Sequence, residues 1–542
     1  MSGRAATSAS IHVTAELSQI RYKAPAMLDR RQLLSIAAAA PLLGAPAILK
    51  AQSWFASYPF ALGVTSGDPS PDGFVIWTKL APRPFDPHGG MPMVPLPVKW
   101  EVASDDRFRT IVASGEATAR PELGHSVHVE VSGLQPDRPY WYRFALGSDL
   151  STRGRARTLP PPSASPQSLK FGVAGCQNYQ DGYFTAFRHL AREDDLAFVY
   201  HYGDFIYEYA ERGPDYDKDG LPVAQVRQHI GQDCFDIADY RLRYAQYLSD
   251  YDLQAARARH TWFPTFDDHE VANNWVGDID PKGAPADVFR LRRQAALQVW
   301  YEYMPVRAAM LPRDGLITDI YREARYGDLL SIDFLDTRSF RTDQPCGDGF
   351  KTHCAGIDDP KGQVISAQEE AWLLRNLSRK QAKWNCVAQQ VMMMSLDRRR
   401  YADEKEKIYN LDSWAGYEAQ RSRLLARMKG LDNVVVLTGD EHQNFAGLLD
   451  DGDRTVAVEF VSTSISSGGD GSDLRAGSDR MFQNNPQLKF LNDQRGYLVC
   501  EVTPDAWQSR FMVMDRVSTP GGAIAKRATI TVPRGQPGLS IA

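Results

Sequence analysis

The spacing of apolar positions changes once along the chain. In the first third, short apolar or alternating runs such as 73–78 and 126–131 are separated by turn residues, which predicts β-strands throughout. Strands of this length and spacing are typical of a small β-sandwich. We therefore expect an amino-terminal β-sandwich domain over residues 54–159.

Beyond a linker rich in proline and serine at 160–168, apolar runs of strand length alternate with amphipathic segments of helical spacing. The segment 182–193 has its apolar positions on one helical face, and Ser366 begins a capping box that starts another helix. Alternating strands and helices favour a layered α/β architecture. We expect this α/β domain over 169–520, followed by a carboxy-terminal tail at 521–542.

Four apolar runs of the α/β region end in residue types that bind metal ions. The ends contain, in chain order, Cys176; Asp204, with Tyr207 shortly after it; Asp268 and His269; and Asp440 and His442. A buried strand that ends in Gly-Asp places its carboxylate at the carboxyl edge of a sheet, where α/β folds gather ligand-binding groups. Each residue alone has a structural explanation, such as a buried thiol or a turn aspartate. Together they predict a metal site.

The order of these motifs resembles the PhoD-like branch of the calcineurin-type metallophosphoesterases. In that superfamily the strand ends carry Asp-x-His, Gly-Asp, Gly-Asn-His-(Asp/Glu) and Gly-His-x-His around two metal ions. Here Cys176, Asp268 and Asp440 stand where an aspartate, an asparagine and a histidine are usual, and these exchanges are typical of the PhoD-like branch. The resemblance extends from about Tyr58 to Asp515. It implies a metallophosphoesterase layered β-sandwich flanked by helices, preceded by a small all-β sandwich of the fibronectin III or Ig type.

The resemblance also implies two cations that share one carboxylate. The implied ligands are Asp204, Cys176, Tyr207 and His442 for the first ion, and Asp204, Asp268 and Asp440 for the second. A thiolate and a tyrosinate favour Fe³⁺ at the first position. Carboxylates in place of an amide and an imidazole favour Ca²⁺ over zinc or manganese at the second.

Two residues are expected to contact the substrate. His269, beside Asp268, would face the reacting phosphoryl group as a catalytic residue, and we favour a neutral His269 that donates a hydrogen bond over one that supplies the proton. Arg338 follows a strand and is the candidate for binding the phosphate of the substrate. Pairing of this arginine at the surface with Asp336 or Asp343 is an equal alternative.

These assignments predict an alkaline phosphatase of the PhoD type that hydrolyses phosphomonoesters, phosphodiesters or both by a metal-activated hydroxide. A phospholipase D-type phosphodiesterase is the enzymatic alternative. The non-enzymatic alternative is a binding protein that uses the sandwich domain and retains an inactive phosphatase scaffold. A zinc protease is excluded, because Asn273 stands where the His-Glu-x-x-His motif needs its second histidine.

Composition and the first residues suggest where the protein acts. Hydrophobic residues make up 43% and charged residues 24% of the chain, as in ordinary soluble proteins. The net charge of −5 gives no basic footprint, so no specific nucleic-acid partner is expected. Arg30 and Arg31 precede an apolar stretch too short to span a membrane, which predicts a twin-arginine signal over 1–51. We therefore expect recognition by the twin-arginine export machinery, a periplasmic or secreted monomer and no stable membrane span.

The cysteines agree with an exported protein of this size. Cys346 and Cys354 flank a short loop, and a disulfide there would contribute about 2–3 kcal/mol in an oxidising compartment. Buried free thiols are expected for Cys234, Cys386 and Cys500.

Overall fold

The computed structural model of the chain describes residues 53–213, 225–313, 320–379, 381–431, 433–536 and 538–542. The expected export signal at 1–51 lies outside these residues. The α-helices within them are α1 (Thr185–Leu190), α2 (Ile237–Leu248), α3 (Tyr251–Arg259), α4 (Ala286–Tyr303), α5 (Ala367–Ser378), α6 (Glu418–Met428) and α7 (Ser478–Asn484). The strands are β1 (Val64–Ser70), β2 (Gly73–Lys79), β3 (Leu96–Ala103), β4 (Ile111–Ala119), β5 (Ser126–Val131), β6 (Pro139–Leu146), β7 (Asp149–Leu150), β8 (Gly154–Arg157), β9 (Leu169–Ala174), β10 (Val199–His201), β11 (Thr261–Pro264), β12 (Arg322–Tyr326), β13 (Leu330–Phe334), β14 (Phe350–Thr352), β15 (Trp384–Ala388), β16 (Ile408–Asn410), β17 (Val434–Thr438), β18 (Asn444–Asp451), β19 (Arg454–Val461), β20 (Leu488–Asn492), β21 (Gly496–Val502), β22 (Ala506–Met514), β23 (Ile524–Pro533) and β24 (Ser540–Ile541).

Two large sheets form the body of the α/β region. One has ten strands in the order β24-β23-β22-β21-β9-β10-β11-β1-β2-β5, and the other has seven in the order β12-β13-β15-β17-β19-β18-β20. Strands β9, β10 and β11 are parallel neighbours in the first sheet, and β13, β15, β17 and β19 are parallel neighbours in the second. Buried parallel strands are apolar on both faces, which explains the continuous apolar runs in the sequence.

Alternate side chains of β17 show how the sheets are layered. Val435 packs with Phe171 and Phe263 of the ten-stranded sheet. Val434 and Val436 pack instead with apolar residues of α5 and α6. Because successive residues of a strand point to opposite faces, the two sheets face each other and α5 and α6 cover the outer face of the second. Helices α1 to α4 cover the outer face of the first sheet, so the layered sandwich flanked by helices is confirmed.

The amino-terminal strands enclose a core of their own but share a sheet with the rest. Strands β3, β4, β6, β7 and β8 form a five-stranded sheet, whereas β1, β2 and β5 extend the ten-stranded sheet. Phe74, Val98 and Tyr142 lie in the core between them. The amino-terminal strands connect to the α/β strands through the parallel pair of β1 and β11, in which Ser66 lies opposite Thr261. The local pattern of apolar and polar residues cannot predict such a pairing between distant segments.

Residues after 520, expected to form a tail, add β23 and β24 to the edge of the ten-stranded sheet. Ala528, Ile530 and Val532 alternate with more exposed residues and pack into the core between the large sheets. This period of two is the pattern of a half-buried strand.

Across the described residues, no helix combines the length and apolar character needed to cross a bilayer.

The cysteines are placed as expected. Cys346 and Cys354 form a disulfide with their Cα atoms 6.7 Å apart. The thiols of Cys234, Cys386 and Cys500 are free and buried.

Candidate metal centre

The loops that follow β9, β10, β11 and β17 bring the predicted metal ligands together. Because β9, β10 and β11 are parallel neighbours, Cys176, Asp204 and Asp268 leave the same edge of the ten-stranded sheet. Asp440 and His442 follow β17 of the facing sheet. The site therefore lies at the carboxyl ends of strands from both sheets, where open α/β sheets bind their ligands.

These loops have an unusual backbone. Cys176, Asp204, Asp440 and His442 have φ angles of 52°, 53°, 64° and 54°. Residues other than glycine seldom adopt this left-handed region, and such outliers cluster at functional sites. The sequence pattern gives no sign of this strain.

Two glycines let the loops from the two sheets approach each other. A Cβ atom at Gly175 or Gly439 would lie 2.3 or 2.1 Å from the side chain of Tyr202. The Tyr202 ring is fully buried and its hydroxyl donates to the carbonyl of Thr463 at 2.9 Å. One aromatic ring thus fills the space between the loops that carry Cys176 and Asp440.

Asp204 separates two groups of donor atoms, and the first is termed the thiol half: Cys176, Tyr207 and His442. The Cys176 Sγ atom lies 3.2 Å and the Tyr207 hydroxyl 3.0 Å from Asp204 Oδ2. The Tyr207 hydroxyl is also 3.1 Å from His442 Nε2 and accepts a hydrogen bond from Ser467 at 2.7 Å. Donor atoms of Cys176, Asp204 and His442 all lie within 4.8 Å of one another, close enough to hold one ion.

The thiol half is neutral when it holds no cation. Burial, followed by the charge of Asp204, raises the pKa of both the Cys176 thiol and the Tyr207 hydroxyl well above their usual values. Burial lowers the pKa of His442 to about 3. A cation bound here would replace the protons of the thiol and the phenol, because metal ligands bind in their deprotonated forms.

The second group is termed the carboxylate half: Asp267, Asp268 and Asp440. Their carboxylate oxygens lie within 4.8 Å of one another, and those of Asp204 and Asp268 lie equally close to a ring nitrogen of His269. Burial and the charge of Asp267 raise the pKa of Asp440 well above its usual range. Among the residues that the structure describes, none forms a hydrogen bond with the buried Oδ2 atom of Asp267. Crowded carboxylate oxygens of this kind fit a hard cation.

Arg338 provides positive charge to the carboxylate half. Its guanidinium is fully buried and donates to Asp267 Oδ1 at 2.5 Å and to Asp268 Oδ1 at 3.3 Å. A third ion pair, of 2.9 Å, joins it to Asp412 Oδ2. The pKa of Asp268 is lowered despite burial, because the positive charges of Arg338 and then of His269 stabilise the ionised carboxylate. Neither Asp336, which is itself buried, nor Asp343 is among these side-chain partners, and the expected contact of Arg338 with substrate stays a prediction.

His269 is held by a residue that the sequence did not single out. Its Nδ1 atom is 2.8 Å from Glu208 Oε2, and its Nε2 atom is 3.9 Å from Asp268 Oδ2. The ring also packs against Tyr207, with centroids 4.0 Å apart. Glu208 therefore orients the imidazole so that Nε2 faces the donor cluster. The sequence feature that could have identified Glu208 is its position directly after Tyr207.

Glu270 holds the backbone of two ligand loops. Its buried carboxylate accepts the N–H groups of Asp204 at 2.9 Å, Phe205 at 2.6 Å and Asp267 at 2.8 Å. Sequence reasoning missed both Asp267 and Glu270. They flank Asp268 and His269 in one four-residue motif, and that adjacency was the signal that could have found them.

Comparisons with known proteins agree with this geometry. Residues 171–511 match the family described as PhoD-like phosphatase, and residues 45–160 match the family described as PhoD-like phosphatase, N-terminal domain. Alkaline phosphatase D of Bacillus subtilis (strain 168) is 45% identical over 492 residues, which cover 90% of this chain and 82% of that protein.

Solved structures give the same result. The structure described as that of PhoD is 44% identical, with a TM-score of 0.86, and the match covers 91% of this chain and 93% of that one. A purple acid phosphatase from yellow lupin (Lupinus luteus) seeds has a TM-score of 0.53 at 12% identity, over 87% of this chain and 74% of that one, which shows a shared fold alone. The chain belongs to the PhoD-like phosphatase family and is a phosphoesterase of that type.

Proposed function

We propose that the protein is a metal-dependent alkaline phosphatase of the PhoD type that hydrolyses phosphomonoesters, phosphodiesters or both. The position of Asp204 carries the proposal. Its Oδ2 atom faces the thiol half, while its Oδ1 atom accepts the backbone N–H of His269 at 3.3 Å beside the carboxylate half. A carboxylate placed in this way can be shared by two cations.

The donor types support different ions in the two halves. We assign Fe³⁺ to Cys176, Tyr207, His442 and Asp204, because a thiolate and a phenolate suit ferric iron better than magnesium or calcium. We assign Ca²⁺ to Asp204, Asp268 and Asp440, the set expected from the sequence, because all its donors are carboxylate oxygens. The structure groups Asp268 and Asp440 with Asp267, and Asp204 and Asp268 with His269. When bound, such a pair of cations supplies an activated hydroxide for in-line attack on phosphorus and neutralises charge on the transferring group.

The chain's own residues prepare the reacting group. His269 would donate from Nε2 to a phosphoryl oxygen or to the leaving group, since Nε2 is the ring nitrogen turned toward the donor cluster. A neutral imidazole that donates Nδ1–H to Glu208 has no proton on Nε2. We therefore propose that His269 acts as the doubly protonated imidazolium, with Nδ1–H on Glu208 and Nε2–H toward the substrate, in place of the neutral donor favoured from the sequence.

Two charged residues keep the ligands in place. Arg338 would hold the Asp267 and Asp268 carboxylates through its fixed fork of donors, and Glu270 would fix the Asp204 loop through its backbone contacts. Neither would need to move during turnover. Pre-positioned groups of this kind are the usual source of electrostatic catalysis.

We also propose that the protein is exported through the twin-arginine pathway to the periplasm or beyond. The twin arginines and the short apolar stretch after them support this. The disulfide between Cys346 and Cys354 supports it independently, because disulfides persist in oxidising compartments. Replacing Arg30 and Arg31 by lysine should leave the protein in the cytoplasm, and unchanged export would contradict the assignment.

The function is tested with purified protein, elemental analysis and two chromogenic substrates, p-nitrophenyl phosphate and bis(p-nitrophenyl) phosphate. We expect iron and calcium in active protein, turnover at alkaline pH, loss of turnover with the calcium chelator EGTA and recovery with Ca²⁺ rather than Zn²⁺. Turnover of the diester alone would support the phospholipase D-type alternative. No turnover of either ester by protein that contains both ions would contradict the proposal and favour a binding protein.

A further inference from the structure

Two loops flank the ligands Asp440 and His442 at the edge of the seven-stranded sheet. Strand β17, which precedes these ligands, lies between β15 and β19, and the three strands are parallel. The loop after β15 carries Arg400, and the loop after β19 carries Arg475. Because parallel strands end at the same edge of a sheet, both arginines lie at the edge that holds the metal centre.

The two loops pack against each other. A Cβ atom at Gly477 would lie 2.6 Å from the Cβ atom of Arg400, so a glycine is needed for this close approach. Arg480 also donates to the carbonyl of Glu404 at 3.3 Å. Arg475 lies two residues before Gly477, and burial, followed by the charge of Arg475, lowers the pKa of Arg400. The two guanidinium groups are therefore close enough to repel each other.

Contacts on both loops connect these arginines to the metal centre. In the loop after β15, Arg398 Nη1 donates at 2.9 Å to Glu441, the residue between the two ligands that follow β17. Beyond the loop after β19, Arg495 donates to the carbonyl of Ser467 at 2.5 Å, and Ser467 donates to the Tyr207 hydroxyl at 2.7 Å. Both loops are thus held directly against residues of the metal centre.

Arg400 differs from its neighbours in lacking an acidic partner. Arg398 pairs with Glu441, and Arg399 pairs with Asp397 at 2.6 Å. The half-buried guanidinium of Arg400 forms no ion pair and no hydrogen bond with any residue that the structure describes. A guanidinium offers five N–H donors, so its donor capacity remains free.

The acid nearest in sequence to Arg400 is used by the backbone. The Glu404 carboxylate accepts the backbone N–H groups of Arg400 and Tyr401 at 2.5 and 2.7 Å. It holds the turn after Arg400 and forms no ion pair with the guanidinium within the described part of the chain. The positive charge of Arg400 is therefore left for a group from outside the chain.

Arg475 is only partly neutralised. Its Nε atom is 2.7 Å from Asp493 Oδ1, and the same oxygen is 2.8 Å from Nη2 of Arg495. One carboxylate therefore serves two guanidinium groups. The side chain of Arg475 is 35% exposed, so a ligand can reach it. After burial, the charges of Arg495 and, more weakly, Arg475 lower the pKa of His442, which agrees with their position beside the thiol half.

We propose that Arg400 and Arg475 bind a second acidic group, a carboxylate or a phosphate, on the organic part of the phosphoester substrate. The inference rests on the proposed phosphoesterase function and specifies its substrate class, an organic phosphate that carries a further negative charge. An anion between the two guanidinium groups would offset their repulsion and use their free donors. The planar fork of arginine matches both carboxylate and phosphate groups.

Phosphonates that cannot be hydrolysed test the proposal whichever ester the enzyme prefers. The acids run from 3-phosphonopropanoate to 6-phosphonohexanoate, and each is compared with its ω-amide, which has the same length without the second charge. Binding to the full metal-loaded protein is measured by calorimetry, and elemental analysis checks that the metals remain bound. We expect at least one acid to bind at least about tenfold more tightly than its amide, the usual contribution of a hydrogen bond to a charged group.

Variants of the two arginines test which residues cause this preference. Arg400→Met should remove most of it, because the variant deletes the free guanidinium and breaks no ion pair. Arg475→Met should also lower it and leaves Asp493 paired with Arg495, so it gives a second test if Arg400→Met does not fold. Arg138→Met, the same change at an exposed arginine of the amino-terminal region, should retain the preference.

Alkane bisphosphonates of the same lengths identify the acidic group. Binding tighter than that of the carboxylates assigns a second phosphate, and equal or weaker binding assigns a carboxylate. The proposal is overturned if no acid binds more tightly than its amide, or if the preference persists in the arginine variants that fold.

Turnover of p-nitrophenyl phosphate and bis(p-nitrophenyl) phosphate measures the phosphoesterase function separately. Turnover without any preference for the acids would refute the second-charge site alone. Absence of both turnover and phosphonate binding would refute the two proposals together.

Discussion

The thiol half and the carboxylate half of the metal centre share Asp204 but carry their charge differently. Burial keeps the thiol half neutral until a cation displaces its protons. In the carboxylate half burial raises the pKa of Asp267 and of Asp440, but the buried guanidinium of Arg338 lowers the pKa of Asp268, so this half keeps a negative charge on Asp268 without a cation. The stability of the metal-free protein should therefore depend on Arg338 in the carboxylate half. The thiol half becomes charged only when its ion binds. The predictions below test this difference.

Loss of the shared carboxylate should have the largest effect, because it removes a ligand from both halves. Asp204→Asn should lower turnover by more than the roughly 10²–10³-fold that loss of one transition-state contact costs, and both iron and calcium should be lost. Asp343→Asn, at an exposed aspartate, serves as the control. Retention of both metals by Asp204→Asn, measured by elemental analysis, would show that the two sites are independent.

His269 should affect the reaction and neither half of the metal centre. His269→Ala should lower turnover by roughly 10²–10⁴-fold with unchanged metal content, since a positioned donor contributes about this much. The exposed His353→Ala variant is the control. A series of phosphodiesters with leaving groups of graded basicity then tests the role of the proton. A defect that does not vary along the series would mean that His269 stabilises the phosphoryl oxygens and does not protonate the leaving group.

Arg338 should matter for stability in the carboxylate half. Arg338→Met leaves Asp267 buried without its cation, whereas Asp412 keeps Arg341 at 2.8 Å, and removing one partner of a buried ion pair costs about 3–5 kcal/mol. Urea unfolding of the metal-free protein measures this loss. Cys176→Ala, in the neutral thiol half, should cost less under the same conditions. Equal losses in the two variants would remove the distinction between the halves.

Tyr207 should report on the thiol half alone. Protein loaded with Fe³⁺ should be coloured, because a phenolate and a thiolate both donate charge to ferric iron. Tyr207→Phe should shift or bleach the visible band and weaken iron binding by at least the roughly 10–100-fold typical of lost supporting contacts, with calcium retained. Tyr209→Phe is the matched control, since Tyr209 bonds Asn273 outside the donor set. An unchanged spectrum and iron content in Tyr207→Phe would refute the iron assignment.

The fold and the ligands were accessible from the sequence to different degrees. Ser366, which accepts the N–H of Glu369 at the start of α5, and the apolar run of β17 are local features, so they could be predicted. The pairing of β1 with β11 and the place of β23 in the large sheet depend on distant partners. Local spacing contains no information about such partners.

The same division applies within the site. Cys176, Asp204 and Asp440 could be found because each follows a recognisable strand in a fixed order. Their neighbours in the sequence marked Glu208 and Asp267 as candidates, but their roles could not be assigned, because those roles depend on contacts with His269 and Arg338 that form only in the fold. The enclosed position of Arg338 was missed for the same reason.

The smallest expected effect concerns the loop closed by Cys346 and Cys354, which is linked to the carboxylate half through Asn274. Asp348 in this loop accepts from the Asn274 side chain at 2.7 Å, and the Asn274 backbone N–H donates to Asp268 Oδ2 at 2.7 Å. Replacing both cysteines by serine should lower the free energy of unfolding by about 2–3 kcal/mol. It should also weaken calcium binding modestly and leave iron unchanged, because Asp268 would lose its support while the thiol half would not. Asp348→Ala with the disulfide intact isolates the contact: if calcium binding weakens in the double cysteine variant alone, the loop acts on Asp268 by a route other than Asn274.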